Sequence, residues 1–265
     1  MSRLRLYQVD AFTGRLFAGN AAAVVPLVSW LDDDLLQAIA AENNLAETAF
    51  FVPTDDAYHL RWFTPEVEVK LCGHATLATA HVLFTVLEPQ RNELRFETLS
   101  GALLVRKRAD RRLELDFPTW RLERLGEIPA GLTEGLGRAP EEVLITTTHD
   151  NLFAVFGGEA EVGALAPDMR RLATLHPAGV IATAPSTRAD CVCRYFAPSY
   201  GIDEDSGTGS IQCALVPYWS DRLDKPAIHT LQVSRRGAEL FGERRGDRIA
   251  IAGQAVTYLE GWIDI

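Results

Sequence analysis

The period of hydrophobic and polar positions changes repeatedly along this chain, and each change marks an element. Residues 4–9 (LRLYQV) alternate as a strand does, and Asn20 leads an apolar stretch to Val25. Over residues 31–43, Leu35, Leu36, Ile39 and Ala40 fall on one helical face, with Ser29 and acidic residues near the start. Residues 49–52 and 58–63 read as strands joined by a Pro-Thr-Asp-Asp turn. Residues 74–87 are apolar almost all round, the pattern of a helix buried on every side. Strands follow near 94–97, 102–107 and 112–117, and residues 118–127 read as a crossover.

The second half repeats this order. A short helix is predicted near 130–136, and strands at 143–147, 152–156, 180–183 and 190–196. A second apolar helix is expected over 210–218, kinked or ended by Pro217. Strands near 230–234, 238–242 and 248–252 complete the set. Three anchors tie the halves together. Asn20 in GNAAAVV matches Asn151 in DNLFAVF, Arg61-Trp62-Phe63-Thr64-Pro65 matches Arg194-Tyr195-Phe196-Ala197-Pro198, and Gly73 matches Gly209, with offsets of 131, 133 and 136. The pattern implies an old duplication: an α+β chain with lobes at residues 1–117 and 118–265, each with strands around one buried, glycine-led helix. Facing each other, the two helix N-termini would converge on one cleft. Their free N–H groups and partial positive charge suit a small carboxylate.

Composition narrows the function. At 47% hydrophobic and 23% charged residues, the chain can bury an ordinary globular core. Its formal net charge of -10 argues against nucleic acid as a partner. The basic run Arg106-Lys107-Arg108, with Arg111-Arg112 beyond it, reads as a solvated hairpin tip. No apolar run reaches membrane-spanning length, and the first residues lack the apolar core of a signal peptide, so a cytoplasmic location is expected. Cys72, Cys191, Cys193 and Cys213 would then be reduced, with Cys191 and Cys193 on one buried strand face. The histidine spacings offer no second ligand pair for zinc, so no metal is expected. GTGSIQ lacks the third glycine of a dinucleotide fingerprint, and no phosphate-binding loop or nucleophile elbow occurs.

The candidate chemistry lies where the lobes differ. Glu47, beside Leu45, Ala49, Phe50 and Phe51, has Val180 as its counterpart, so the shared scaffold does not require a carboxylate there. Desolvation at such a place raises a carboxyl pKa toward that of a general acid/base. The same local sequence also suits a Glu that pairs with an arginine or caps a turn. His74 follows Gly73 at a helix start, where the dipole favours neutral imidazole, and a cap or a satisfied core histidine fits equally. Asp205 sits seven residues past the repeat proline, as Cys72 does in the first half, and could equally cap a helix. With Gly209 and Ser210 it completes an acid/base and anion-binding set that needs no metal or nucleotide.

VDAFT, ENNLAETAFF, RWFTPEVEVKLCGHATLATA, GVIATA and RYFAPSYGIDEDSGTGS, in that order, resemble the PhzF-like family of phenazine-biosynthesis isomerases. The resemblance implies a diaminopimelate epimerase-like fold: two pseudo-symmetric lobes, each a β-barrel-like sheet around a central helix. It also implies a homodimer, and a cofactor-free shift of a proton within a substrate such as trans-2,3-dihydro-3-hydroxyanthranilate. Carried over by motif, the moving base is Glu47, the accompanying residues are His74 and Asp205, and the binding residues are Asn20, Gly73, Gly209 and Ser210. Ala21, Ala46, Ser206 and Gly207 depart from the family pattern, and the Ser-Gly pair is expected to loosen its loop. Two alternatives stay open. One is a two-base amino-acid epimerase, with Cys72 on one side and Ser206 where a second thiol would stand. The other is a non-catalytic protein that binds a small ligand or a partner.

Overall fold

The computed structural model describes residues 3–176 and 179–265. The chain divides into two compact units, Met1–Asp116 with Ile251–Ile265, and Phe117–Ala250. The first unit carries β1 (Arg3–Ala11), β2 (Asn20–Pro26), α1 (Asp33–Asn43), β3 (Glu47–Pro53), β4 (Tyr58–Phe63), β5 (Glu68–Val69) and α2 (Gly73–Val82), then β6 (Glu93–Thr98), β7 (Gly101–Lys107) and β8 (Leu113–Pro118). The second carries β9 (Leu122–Arg124), α3 (Leu132–Leu136), β10 (Glu142–Thr146), β11 (Asn151–Val155), α4 (Glu159–Gly163), α5 (Met169–Leu172), β12 (Gly179–Pro185) and β13 (Cys191–Ala197). It continues with β14 (Ile202–Asp205), α6 (Gln212–Leu223), β15 (Ala227–Gln232) and β16 (Ala238–Arg245), and β17 (Arg248–Gly253) leads into β18 (Ala255–Asp264).

The two units repeat one pairing grammar. In the first, β1–β2 is antiparallel, β2–β3 parallel, β3–β4 and β4–β5 antiparallel, β4–β6 parallel and β6–β7 antiparallel. In the second, β10–β11, β11–β12, β12–β13, β13–β14, β13–β15 and β15–β16 follow the same sequence of senses. Each central helix enters after the short fifth strand of its set: α2 after β5, α6 after β14. This is the α+β architecture of a barrel-like sheet around one buried helix, twice. One boundary is corrected. Residues 251–265 do not stay with the second lobe, because β18 pairs along the whole of β1, from Arg3↔Asp264 to Ala11↔Ala255.

The repeated sequence word is a structural clip. Arg61 on β4 makes a bidentate pair with Glu68 on β5, at 2.7 and 2.8 Å, while its guanidinium lies 5.0 Å from the centre of the Phe63 ring. Arg194 on β13 pairs with Glu204 on β14 at 2.7 and 2.9 Å and lies 4.8 Å from the Phe196 ring. A planar guanidinium satisfies both carboxylate oxygens and one aromatic face at once, and a lysine cannot. The clip therefore has to be kept in both halves, and it holds the short strand that delivers the chain to the central helix.

Helix α2 is built for close packing. Gly73, Ala75, Ala78 and Ala80 let it lie against β1, β2 and β3, and every residue from Gly73 to Ala80 is buried. The buried hydroxyls of Thr76 and Thr79 donate back to the carbonyls of Cys72 and Ala75, so they leave no orphan donor. The all-round apolar helix expected to residue 87 stops short of that. Leu83–Leu87 widens into a π-helical turn, on which Val86 is exposed. The second central helix departs in the opposite direction. Pro217 neither ends nor starts it, for α6 runs from Gln212 to Leu223. The Cys213 carbonyl that Pro217 cannot satisfy accepts the Trp120 N–H at 2.8 Å instead.

The clip should dominate local stability. Arg194→Met leaves Glu204 half-buried and unpaired, and frees the Leu165 carbonyl that Arg194 also binds at 2.7 Å. A loss of about 3 kcal/mol is expected in urea unfolding. Arg3→Met, which removes the exposed Arg3–Asp264 pair, should cost less than about 1 kcal/mol. Equal losses would refute the clip.

Candidate functional site

The first unit assembles its polar cluster where two parallel strands begin. Asn20 opens β2 and Glu47 opens β3, with Glu47 in register with Ala22. Gly19 makes the entry to β2 possible: its φ is +64°, and a Cβ there would lie 2.1 Å from the Ala11 carbonyl oxygen. His74 comes from the first turn of α2, preceded by Cys72 at the cap position. All four side chains are buried.

His74 sits between its neighbours. Its Nε2 lies 2.9 Å from Glu47 Oε2, and its Nδ1 lies 3.1 Å from Asn20 Nδ2 and 3.4 Å from Cys72 Sγ. Asn20 can donate to Nδ1 only while that nitrogen is unprotonated, so the neutral ring carries its proton on Nε2, facing Glu47; the imidazolium adds a proton on Nδ1, which the Cys72 sulfur can accept and the Asn20 amide nitrogen cannot. The close approach of Nε2 and Oε2 is an ion-pair contact without hydrogen-bond alignment, and both atoms are buried without an aligned partner. Burial disfavours the His74 imidazolium, but the Cys72 sulfur and the Glu47 carboxylate outweigh it and hold the His74 pKa well above its ordinary value. The helix dipole alone would favour the neutral ring; the carboxylate against Nε2 reverses that expectation. Burial and Glu47 raise the Cys72 pKa against the opposing pull of His74.

Glu47, Cys72 and His74 bring three metal-ligand types within 4.8 Å of one another, which the sequence spacing did not reveal. Their arrangement suits proton relay better than chelation. Cys72 and Glu47 face different nitrogens of the single His74 ring.

In the second unit Asp205 ends β14, half-buried. Its carboxylate accepts from the Thr208 hydroxyl at 2.5 Å, and its backbone carbonyl accepts from Gln232 Nε2 at 2.7 Å. Gln232 Oε1 also accepts the Thr208 N–H at 2.8 Å, and Ser234 donates to the Ser206 carbonyl at 2.6 Å. The loop holding Ser206 and Gly207 is therefore tied down by β15 and the residues after it, rather than loosened. Gly209 and Ser210 form the turn before α6, two residues ahead of its first full turn. Asn151, the repeat partner of Asn20, accepts from Tyr195 OH at 2.9 Å and donates to the backbone carbonyl of His149 rather than to a histidine ring. Thus Asn20, Glu47 and His74 are in contact, and Asp205, Gly209 and Ser210 share one loop. Sequence reasoning missed Gln232, whose role depends on contacts distant in sequence. It also missed Gln212, which is fully buried with neither amide atom aligned to a partner.

The Glu47–His74 pair thus lies buried at the head of a central helix within a duplicated barrel-like fold. The fold extends to a hydroxyproline epimerase of Agrobacterium vitis, which is 14% identical, with a TM-score of 0.62 over 99% of this chain and 91% of that one. The family described as phenazine biosynthesis-like protein matches residues 9–261, and the chain belongs to this PhzF-like family of isomerases. An uncharacterized isomerase of Pseudomonas aeruginosa is 49% identical over 99% of each chain. The crystal structure of a PhzF-family phenazine biosynthesis protein from Enterococcus faecalis is 40% identical, with a TM-score of 0.95 over 100% of each chain. No helix among the described residues is long and apolar enough to cross a membrane.

The raised His74 pKa sets the sign of a pH effect. Its contribution to stability is complete below the unfolded value of about 6.5 and fades as pH climbs through the higher folded value. In urea unfolding, the advantage of wild type over His74→Gln should shrink as pH rises above about 6.5. An advantage that is constant or grows with pH would contradict the pairing.

Proposed function

We propose that this chain is a cofactor-independent isomerase that moves a proton within a small carboxylate substrate, with Glu47 as the moving base. The observation that carries this reading is the buried Glu47 Oε2, 2.9 Å from His74 Nε2 yet bound by no aligned hydrogen bond. Such a carboxylate has an oxygen to offer a substrate C–H, and a proton-bearing ring beside it to hold its orientation. Glu47 would take the proton from one carbon, leaving the electron pair delocalised into the substrate's conjugated system. It would then return that proton to a second carbon, regenerating the carboxylate. The N–H groups of Gly73 and His74 belong to the first turn of α2, whose dipole favours a carboxylate or a developing anion. Asp205 is proposed as the second titratable group, and Gly209 and Ser210 as anion-binding residues ahead of α6. A substrate like trans-2,3-dihydro-3-hydroxyanthranilate fits this chemistry, and the family membership supports it.

The two-base epimerase reading has less support. The Cys72 sulfur faces His74 Nδ1, and its pKa is raised rather than lowered. Ser206, at the place of a second thiol, is too weak an acid to exchange roles with one near pH 7. A homodimer is proposed on family grounds. A cytoplasmic location is proposed because all four cysteines are free and buried.

Product formation should be followed with trans-2,3-dihydro-3-hydroxyanthranilate first and a panel of amino acids beside it. Glu47→Gln is expected to lower kcat by about 10²–10⁴-fold while ligand binding stays within a few-fold. Cys72→Ser should retain most activity. Activity lost in Cys72→Ser and kept in Glu47→Gln would establish the epimerase instead. Binding without turnover, equal in wild type and Glu47→Gln, would favour a binding protein.

A further inference from the structure

The duplication carries a second consequence, at the opposite ends of the central helices. Each helix ends beside a crevice. In the first unit this cavity measures about 520 Å³, and its lining includes His81, Phe84, Thr85, Lys107 and Arg111. In the second it measures about 640 Å³, and its lining includes Pro217, Tyr218, Asp221, Arg222 and Arg244. The repeat offset of 136 carries His81 to Pro217 and Thr85 to Asp221, and one residue more carries Lys107 to Arg244. These are two copies of one crevice, bordered by equivalent parts of the duplicated scaffold.

The copies differ in how their cations are satisfied. In the second unit the carboxylates come from the crevice itself. Glu142 pairs with Arg124 and Arg222 and accepts from Tyr218 OH at 3.0 Å, and Asp221 pairs with Arg244. In the first unit, Thr85 stands where Asp221 would be. Arg108 Nη1 finds Glu114 at 3.1 Å. Lys107 reaches only the Pro89 carbonyl at 3.0 Å and the face of Phe84, 4.9 Å from the ring centre. Among the described residues, Lys107 and Arg111 have no carboxylate partner. Arg111 is exposed at the β7–β8 turn, with φ of +66°. The same lining includes the apolar side chains of Phe84, Leu113 and Val256. His81 donates no charge there: burial lowers its pKa to about 4, and its Nε2 lies 3.0 Å from Thr257 Oγ1.

We infer that the crevice of the first unit is a binding site for a small organic anion. Its carboxylate or phosphate sits against Lys107 and Arg111, and its apolar body lies on Phe84, Leu113 and Val256. The bound anion supplies the negative charge that Glu142 and Asp221 supply in the second copy. The volume falls in the range of small-molecule sites, and a few cations among apolar side chains is the usual composition of such a site. The basic run that reads from sequence as a solvated hairpin tip thereby acquires a ligand. The site lies at the far end of α2 from His74, about seven residues or 10 Å along the helix, and does not rest on the isomerase reading.

The test uses the full chain and 1-anilinonaphthalene-8-sulfonate as probe, followed by its fluorescence, with benzoate and phenyl phosphate as competitors. Wild type should bind the probe saturably below about 1 mM. The double variant Lys107→Gln/Arg111→Gln should weaken binding by about tenfold or more. Thr85→Asp should weaken it comparably, by restoring the carboxylate of the second copy. Displacement by benzoate assigns a carboxylate ligand, and displacement by phenyl phosphate a phosphate. No saturable binding, displacement by neither competitor, or equal affinity in all three proteins overturns the proposal.

Discussion

A charged carboxylate and an imidazole packed together out of water form the constraint on which the site depends. Burial of either group alone is costly, and each is tolerable because the other is there. The 2.9 Å approach of His74 Nε2 to Glu47 Oε2 fixes where β3 must begin relative to the head of α2. Asn20 must then open β2 to face the other ring nitrogen, and Gly19 must turn the chain there through a conformation other residues resist. The small residues along α2 serve the same end, because they bring its first turn against the strand starts. The pair is thus positioned by regular elements rather than by a loop, which suits chemistry that needs a carboxylate in one fixed place.

What the two halves share holds the fold; where they differ, they can act. The Arg61–Glu68 and Arg194–Glu204 clips occupy equivalent places and do equivalent work. The Glu47–His74 pair is not repeated at the equivalent positions of the second half, which hold Val180 and Ser210. The crevices at the far ends of the central helices diverge in the same sense, one closed by its own carboxylates and one left cationic. A duplicated scaffold stays stable through its shared clips, which leaves each copy free to change its own polar groups.

The sequence made the shared framework legible because its signals are local. The alternation of β1, the amphipathic face of α1 and the apolar α2 lie in consecutive residues, and the arginine clip repeats as a word. Glu47 and His74 could be singled out by asymmetry and motif, but their contact depends on the pairing of β2 with β3 and could not be read. Pro217 looked like a helix end because the donor that relieves it, the Trp120 N–H, lies far back in the chain. Strand β14, Ile202–Asp205, is too polar to register as a strand, since its side chains serve the clip and the loop. Strand β18 is half-exposed on both faces, so it lacks the alternation that would have marked it, and its return to β1 moved a lobe boundary. Helices α4 and α5 have too few residues to show a period.

The most direct test of the central pair is a ¹⁵N NMR titration of the His74 ring in wild type and Glu47→Gln. The account predicts that Nε2 carries a proton throughout and that the wild-type pKa lies above about 6.5. It also predicts a clear fall of that pKa once the carboxylate is gone. An unprotonated Nε2, or a pKa unchanged by Glu47→Gln, would show that the carboxylate does not set the charge of the ring and would contradict the account.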